Sequence, residues 1–116
     1  MKKKYIVKNA REFDDIIHTG TCIKNKYYVI HYKKNNLKFD RFGISVSKKL
    51  GNAVFRNKYK RKIRAIIDNY KKCYENFEDY IIILRKEAVE QPYNILEKEF
   101  FALMNSREKG QKDEIK

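Results

Sequence analysis

The sequence predicts a mixed α/β sandwich of the α+β class, a small sheet with helices packed on it. Three observations predict it. Apolar residues recur at helical spacing in three separate stretches, around Phe13, Tyr59 and Leu96. Runs rich in Tyr, Val and Ile lie between and around those stretches. No internal repeat or Pro/Gly-rich linker divides the 116 residues, so one modest core over residues 1–105 is expected.

The elements follow in order. Asn9, three residues before Glu12, is a capping pair for a first helix. Phe13, Ile16 and Ile17 share its apolar face, and Gly20 ends it. Residues 22–33 read as one strand with two alternating sets, Tyr27, Val29, His31 and Lys33 against Tyr28, Ile30 and Tyr32. Both sets are partly apolar, so both faces of the sheet should be covered. Asn35-Asn36 marks a turn, and the chain returns through Phe42-Gly-Ile-Ser-Val-Ser47.

Residues 52–74 read as the longest helix. Its core stripe is Tyr59, Ile63, Ile66, Ile67 and Tyr70, within about 100° of arc. Residues 80–84 form a short apolar strand, expected to be central and buried on both sides. Pro92 suits the first turn of a last helix whose inner face is Leu96, Phe100, Leu103 and Met104. Residues 106–116 are polar and mixed in charge, a tail expected to fray.

Charge narrows the function. Twenty-eight Lys and Arg against fifteen Asp and Glu leave a net +13. Self-repulsion of that size disfavours the compact state and points to a polyanionic partner. The longest apolar run, Ile81-Ile82-Ile83-Leu84, falls far short of the ~20 residues that span a bilayer, so no membrane partner is expected. Lys8 and Asn9 follow Tyr5-Ile6-Val7 at once, where a secretory signal needs ~7–15 apolar residues. Cys22 and Cys73 match no metal-ligand spacing and read as free thiols in a reducing cytoplasm.

Eight basic residues and no acidic one lie between Lys48 and Arg64. On a helix, Asn57, Lys60, Arg61 and Arg64 share one side, flanked by Lys58 and Lys62, while Tyr59 and Ile63 point inward. Like charges four apart, such as Lys60 and Arg64, destabilise an isolated helix by roughly 0.2–0.5 kcal/mol. Local stability therefore does not account for the pattern, whereas a row of phosphates does. Arg holds phosphate in a planar fork, and Asn57 can bond a phosphate, a 2′-hydroxyl or a base edge. Arg56 and Asn57 also lie near the helix start, where free N–H groups favour an anion. Spacing alone leaves RNA and DNA both open.

The motif is more specific. Gly43-Ile-Ser-Val-Ser-Lys-Lys-Leu-Gly-Asn-Ala-Val-Phe-Arg-Asn-Lys-Tyr-Lys-Arg-Lys-Ile-Arg64 resembles the signature of the bacterial ribonuclease P proteins. Their Arg-Asn-x-x-Lys-Arg-x-x-Arg box is matched by Arg56, Asn57, Lys60, Arg61 and Arg64. Their Ser-Lys-Lys-x-Gly-Asn-Ala approach is matched from Ser47 to Ala53, through Lys48, Lys49 and Asn52. Phe13 to Gly20, the strand near Cys22 and Asp79-Tyr-Ile-Ile-Ile follow in the family's order, so the similarity covers residues 4–104.

The resemblance implies an αβββαβα two-layer sandwich whose βαβ crossover is left-handed, against the usual rule. It makes residues 1–105 a single RNA-binding domain. It implies that the basic helix, with Lys48, Lys49 and Asn52, contacts the catalytic ribonuclease P RNA. The 5′ leader of precursor tRNA is then held in a cleft between the first helix and the sheet, at Phe13, Ile17 and His31 with Lys8 and Lys33. The family often carries aromatics at those first three positions; here only Phe13 has a benzene-type ring, so weaker stacking is implied.

No catalytic constellation is evident. His18 and His31 are far apart in sequence, Asp14 and Asp15 point different ways on a helix, and Asp40 near a turn reads as structural. No P-loop, zinc-protease motif or nucleophile elbow is present. This agrees with chemistry performed by the RNA subunit and its Mg²⁺ ions, and no metal site is expected on the protein. A general RNA-binding protein, a DNA-binding regulator and a protein-only nuclease are the rival readings. A regulator's short preceding helix and turn are missing, and so are a nuclease's clustered carboxylates.

Overall fold

In the computed structural model, residues 2–70 and 77–115 are described, with side chains as far as Ser106. The helices are α1 (Ala10–Thr19), α2 (Ala53–Tyr70) and α3 (Tyr93–Ile115). The strands are β1 (Thr21–Lys24), β2 (Tyr28–Lys34), β3 (Arg41–Ser45) and β4 (Glu78–Leu84). Short 3-10 turns aside, the order is αβββαβα, the one expected. The four strands form one sheet in the order β1-β2-β4-β3. β4 pairs antiparallel with β2 and parallel with β3, so the sheet is mixed and α2 carries the crossover between parallel neighbours.

Strand alternation divides the packing between two faces. Tyr28, Ile30, Tyr32, Phe42, Tyr80, Ile82 and Leu84 form the main core with Tyr59, Ile63, Ile66 and Ile67 of α2 and Leu96, Phe100, Leu103 and Met104 of α3. Phe42 stacks on Tyr80 at 4.9 Å, and the buried Tyr28 hydroxyl donates to the Leu96 carbonyl at 2.9 Å. This is the sandwich read from the sequence. On the opposite face, α1 lies across β2 and β4, where Val7, Ile16 and Ile81 form a second, smaller cluster. Half-buried Phe13, Ile17 and Ile83 border it.

Most elements fall where the sequence places them. Asn9 caps α1 through Arg11 N and Glu12 N, although the Glu12 side chain turns to Arg41 instead of closing the capping box. β4 is interior and buried on both sides. Asp40 is structural: fully buried, it accepts from the Glu78 N–H at 2.9 Å.

Three readings are corrected or trimmed. Residues 22–33 are not one strand but the hairpin β1–β2, because the Asn25 side chain accepts from Tyr27 N and Tyr28 N and turns the chain. Pro92 stands one position before α3, its carbonyl accepting from Ile95 N and Leu96 N. The long helix starts at Ala53 with Asn52 as its cap, and its expected end, residues 71–74, lies outside the described residues, as does Cys73. The α3 backbone stays helical through the polar stretch from residue 106.

Candidate nucleic-acid interface

The basic helix is positioned from both ends. Asn52 Oδ1 accepts from Phe55 N at 2.9 Å, so its amide serves the helix start. Tyr59 anchors the middle: its ring packs on Phe55 at 4.7 Å, and its hydroxyl accepts from Glu90 N at 3.3 Å. With Ile63, Ile66 and Ile67 fully buried, the opposite side of α2 is fixed outward. There Asn57, Lys60, Arg61 and Arg64 line an open groove of about 510 Å³, joined by Val54.

The remaining residues of the box divide by role. Arg56 is half-buried in the first turn of α2, on the side of the buried stripe, and does not line the groove. Lys48 and Lys49 are exposed on the 3-10 turn leading into α2. Lys62 folds back over the Tyr59 ring at 4.8 Å, so its charge is turned toward the protein. Asn52 belongs to the architecture of this surface more than to its face. The sequence missed Val54, whose position in the exposed stripe was nevertheless readable.

The second predicted surface also assembles. Phe13 and Ile17 lie one turn apart on α1, and His31 lies on the sheet face that α1 partly covers. The Phe13 ring rests on Gly43: a Cβ there would come within 2.6 Å of Phe13 Cε2. Only glycine lets the ring lie this close to β3. Lys33 is already engaged, its Nζ bonded to Asp15 Oδ2 at 2.8 Å and Thr19 Oγ1 at 3.0 Å, which ties β2 to α1. Lys8 is exposed just before the α1 cap. Burial, with a smaller effect from nearby His18, holds the His31 pKa below its ordinary value.

Two buried side-chain nitrogens among the described residues lack a hydrogen-bond partner, Arg56 Nε and His31 Nδ1. Each belongs to a residue predicted for one of the two surfaces. A polar atom left so costs roughly 1–3 kcal/mol. Near the second surface sequence reasoning also missed a polar cluster in which Arg41 bonds both Asp79 and Glu12. Among the described residues, no group of three or more His, Cys, Asp or Glu is placed to hold a metal, and no helix is long and apolar enough to cross a membrane.

Fold and surfaces together define a small, strongly basic α+β protein with one cationic helix face and a separate half-open apolar face. The chain belongs to the Ribonuclease P family, whose model matches residues 1–108. It is 45% identical over 98 residues to the ribonuclease P protein component of Streptococcus agalactiae, covering 84% of this chain and 89% of that protein. The corresponding protein of Mycoplasma capricolum is 44% identical over 99 residues, covering 84% and 91%. The structure of the Staphylococcus aureus RNase P protein superposes with a TM-score of 0.80 at 32% identity, covering 89% and 94%.

Proposed function

We propose that this chain is the protein subunit of ribonuclease P, assisting the endonucleolytic removal of the 5′ leader from precursor tRNA in the cytoplasm. The outward face of α2 binds the catalytic RNA. Asn57, Lys60, Arg61 and Arg64 hold its phosphates, with Arg56, Lys48 and Lys49 extending the cationic surface toward the helix start. Each neutralised phosphate releases condensed counterions, so binding is driven largely by that release and weakens with salt. The half-open face between α1 and the sheet takes the single-stranded leader, with Phe13, Ile17 and His31 against its bases and Lys8 and Lys33 near its backbone. Bond cleavage belongs to the RNA subunit and its Mg²⁺ ions, and the protein's share is positioning.

The observation that carries this reading is the single groove shared by Asn57, Lys60, Arg61 and Arg64, on a helix without an acidic residue before Asp68. Reconstitution tests it. Nuclease-free protein alone should leave precursor tRNA intact with Mg²⁺ present. Adding the catalytic RNA from the same cells should give a single cut at the mature 5′ end, tighter and faster than with RNA alone. Site-specific cleavage by the protein alone, or no change in RNA-only cleavage when protein is added, would overturn it.

A further inference from the structure

The outward face of α2 is not uniformly polar. Val54 is 77% exposed, far more than the other large exposed apolar side chains described, Leu37 at 37%, Phe77 at 44% and Tyr93 at 38%. At about 100° per residue it points roughly 165° from the centre of the stripe Tyr59, Ile63, Ile66 and Ile67. Arg61 and the exposed Ala65 lie within about 20° of it on either side. Val54 thus lies at one edge of the cationic set, next to Arg61 and about 60–120° from Asn57, Arg64 and Lys60, and it lines the groove with them.

A lone exposed valine elsewhere would mean little. Here neither packing nor local helix stability accounts for it. Its side chain is outside the core, Asn52 already caps the helix, and a β-branched residue is a mediocre helix former. A polyanion made only of phosphates would also gain nothing from it. A nucleic-acid strand, however, presents ribose carbons and base faces between its phosphates, and an apolar side chain set beside cations meets them.

We infer that Val54 is an apolar anchor for a nucleotide of the bound RNA, touching a ribose or base while its neighbours hold the flanking phosphates. This rests on the assignment of the α2 face to the catalytic RNA. It adds a contact that favours a particular local RNA shape and that salt does not screen. Phosphate contacts alone supply neither property.

Equilibrium binding of the full chain to the catalytic RNA across a salt series tests it. Val54→Thr keeps the shape and helix propensity and replaces a methyl with a hydroxyl; Val54→Ala removes the branch; Val54→Ile keeps the apolar surface. The Thr and Ala variants should weaken binding about three- to ten-fold with an unchanged salt slope and unchanged melting temperature, and Ile should stay within about two-fold of the parent. Lys60→Ala/Arg64→Ala runs in parallel. If that pair weakens binding and flattens the slope while Val54→Thr is silent, the surface is right and the anchor is wrong. If Val54→Thr flattens the slope as the cation variants do, its effect is electrostatic and the anchor is again wrong. If neither changes binding, the α2 assignment fails and the anchor fails with it.

Discussion

Arg41 forks onto Asp79, with Nε 3.0 Å from Oδ1 and Nη2 2.7 Å from Oδ2, and the same Nη2 reaches Glu12 Oε2 at 2.8 Å. One guanidinium therefore joins β3, β4 and α1. The Asp79 and Arg41 side chains are only 8% and 16% exposed, so this pair is screened little by solvent. Hydrogen bonding to Asp79 raises the guanidinium pKa still further, and the group stays charged at every accessible pH. Asn35 completes the cluster by donating to Asp79 Oδ1 at 2.8 Å. Together with Lys33 and Asp15, it sets how far α1 stands off the sheet, and hence the width of the half-open face.

Breaking the fork should cost stability. Arg41→Met leaves the nearly buried Asp79 carboxylate without its cationic partner and should lower unfolding free energy by about 3 kcal/mol in denaturant titration. Asp79→Leu should cost less, because Arg41 keeps its bond to Glu12. The double variant should be distinctly more stable than the sum of the two losses implies, because neither charge remains unpaired. Strict additivity would show that the two residues act independently.

The cationic face should titrate with salt. Lys60→Ala/Arg64→Ala leaves the buried stripe of α2 untouched and removes one like-charge repulsion, so the fold and melting temperature should hold. Affinity for the catalytic RNA should fall, and its logarithmic salt slope should become shallower by about one to two units, each phosphate contributing ~0.7–0.9. An unchanged slope would move the RNA surface off this groove.

That face was legible because a helix converts sequence spacing directly into angle, and Asn57, Lys60, Arg61 and Arg64 declare their side within eight consecutive residues. The split at Asn25 was not, because Lys24-Asn25-Lys26 carries no Gly or Pro, and the turn depends on one side-chain oxygen accepting two N–H groups. The Arg41–Asp79 fork was further out of reach. The two lie directly opposite each other only because α2 returns the chain to pair β4 parallel with β3, a register that no local pattern encodes. The seat of Phe13 on Gly43 depends on the same long-range placement of α1 over the sheet.

His31 gives the protein a predictable response to acid. Its pKa is lowered from 6.5 by burial and, less, by His18. The unfolded chain therefore binds that proton more readily than the folded one. Stability should be fully present above about pH 6.5 and fall as pH drops through that value toward the lower folded pKa. Melting temperatures compared at about pH 7.5 and about pH 5.5 should show a drop that is smaller in His31→Phe. An equal drop in both proteins would assign the acid sensitivity to other groups.

Phe13 is where packing and function have to be separated. Its ring sits on Gly43 and borders the Val7–Ile16–Ile81 cluster, yet it is only half-buried, so one side of the ring is accessible. A base stacked on an aromatic ring contributes ~1–3 kcal/mol, enough for a change of about ten-fold in substrate affinity. Phe13→Leu keeps apolar contact with the sheet and removes the flat ring. The holoenzyme carrying it should bind precursor tRNA about ten-fold more weakly, while its affinity for mature tRNA, which has no leader, should barely move. Phe13→Ala should add a stability loss of about 1–3 kcal/mol on top of the same discrimination, less than a fully buried Phe would show. If Phe13→Leu weakens both RNAs equally, or if its only effect is a lower melting temperature, the ring is core alone. The leader then lies against other residues of the sheet face, with Ile17 and His31 the next to be replaced.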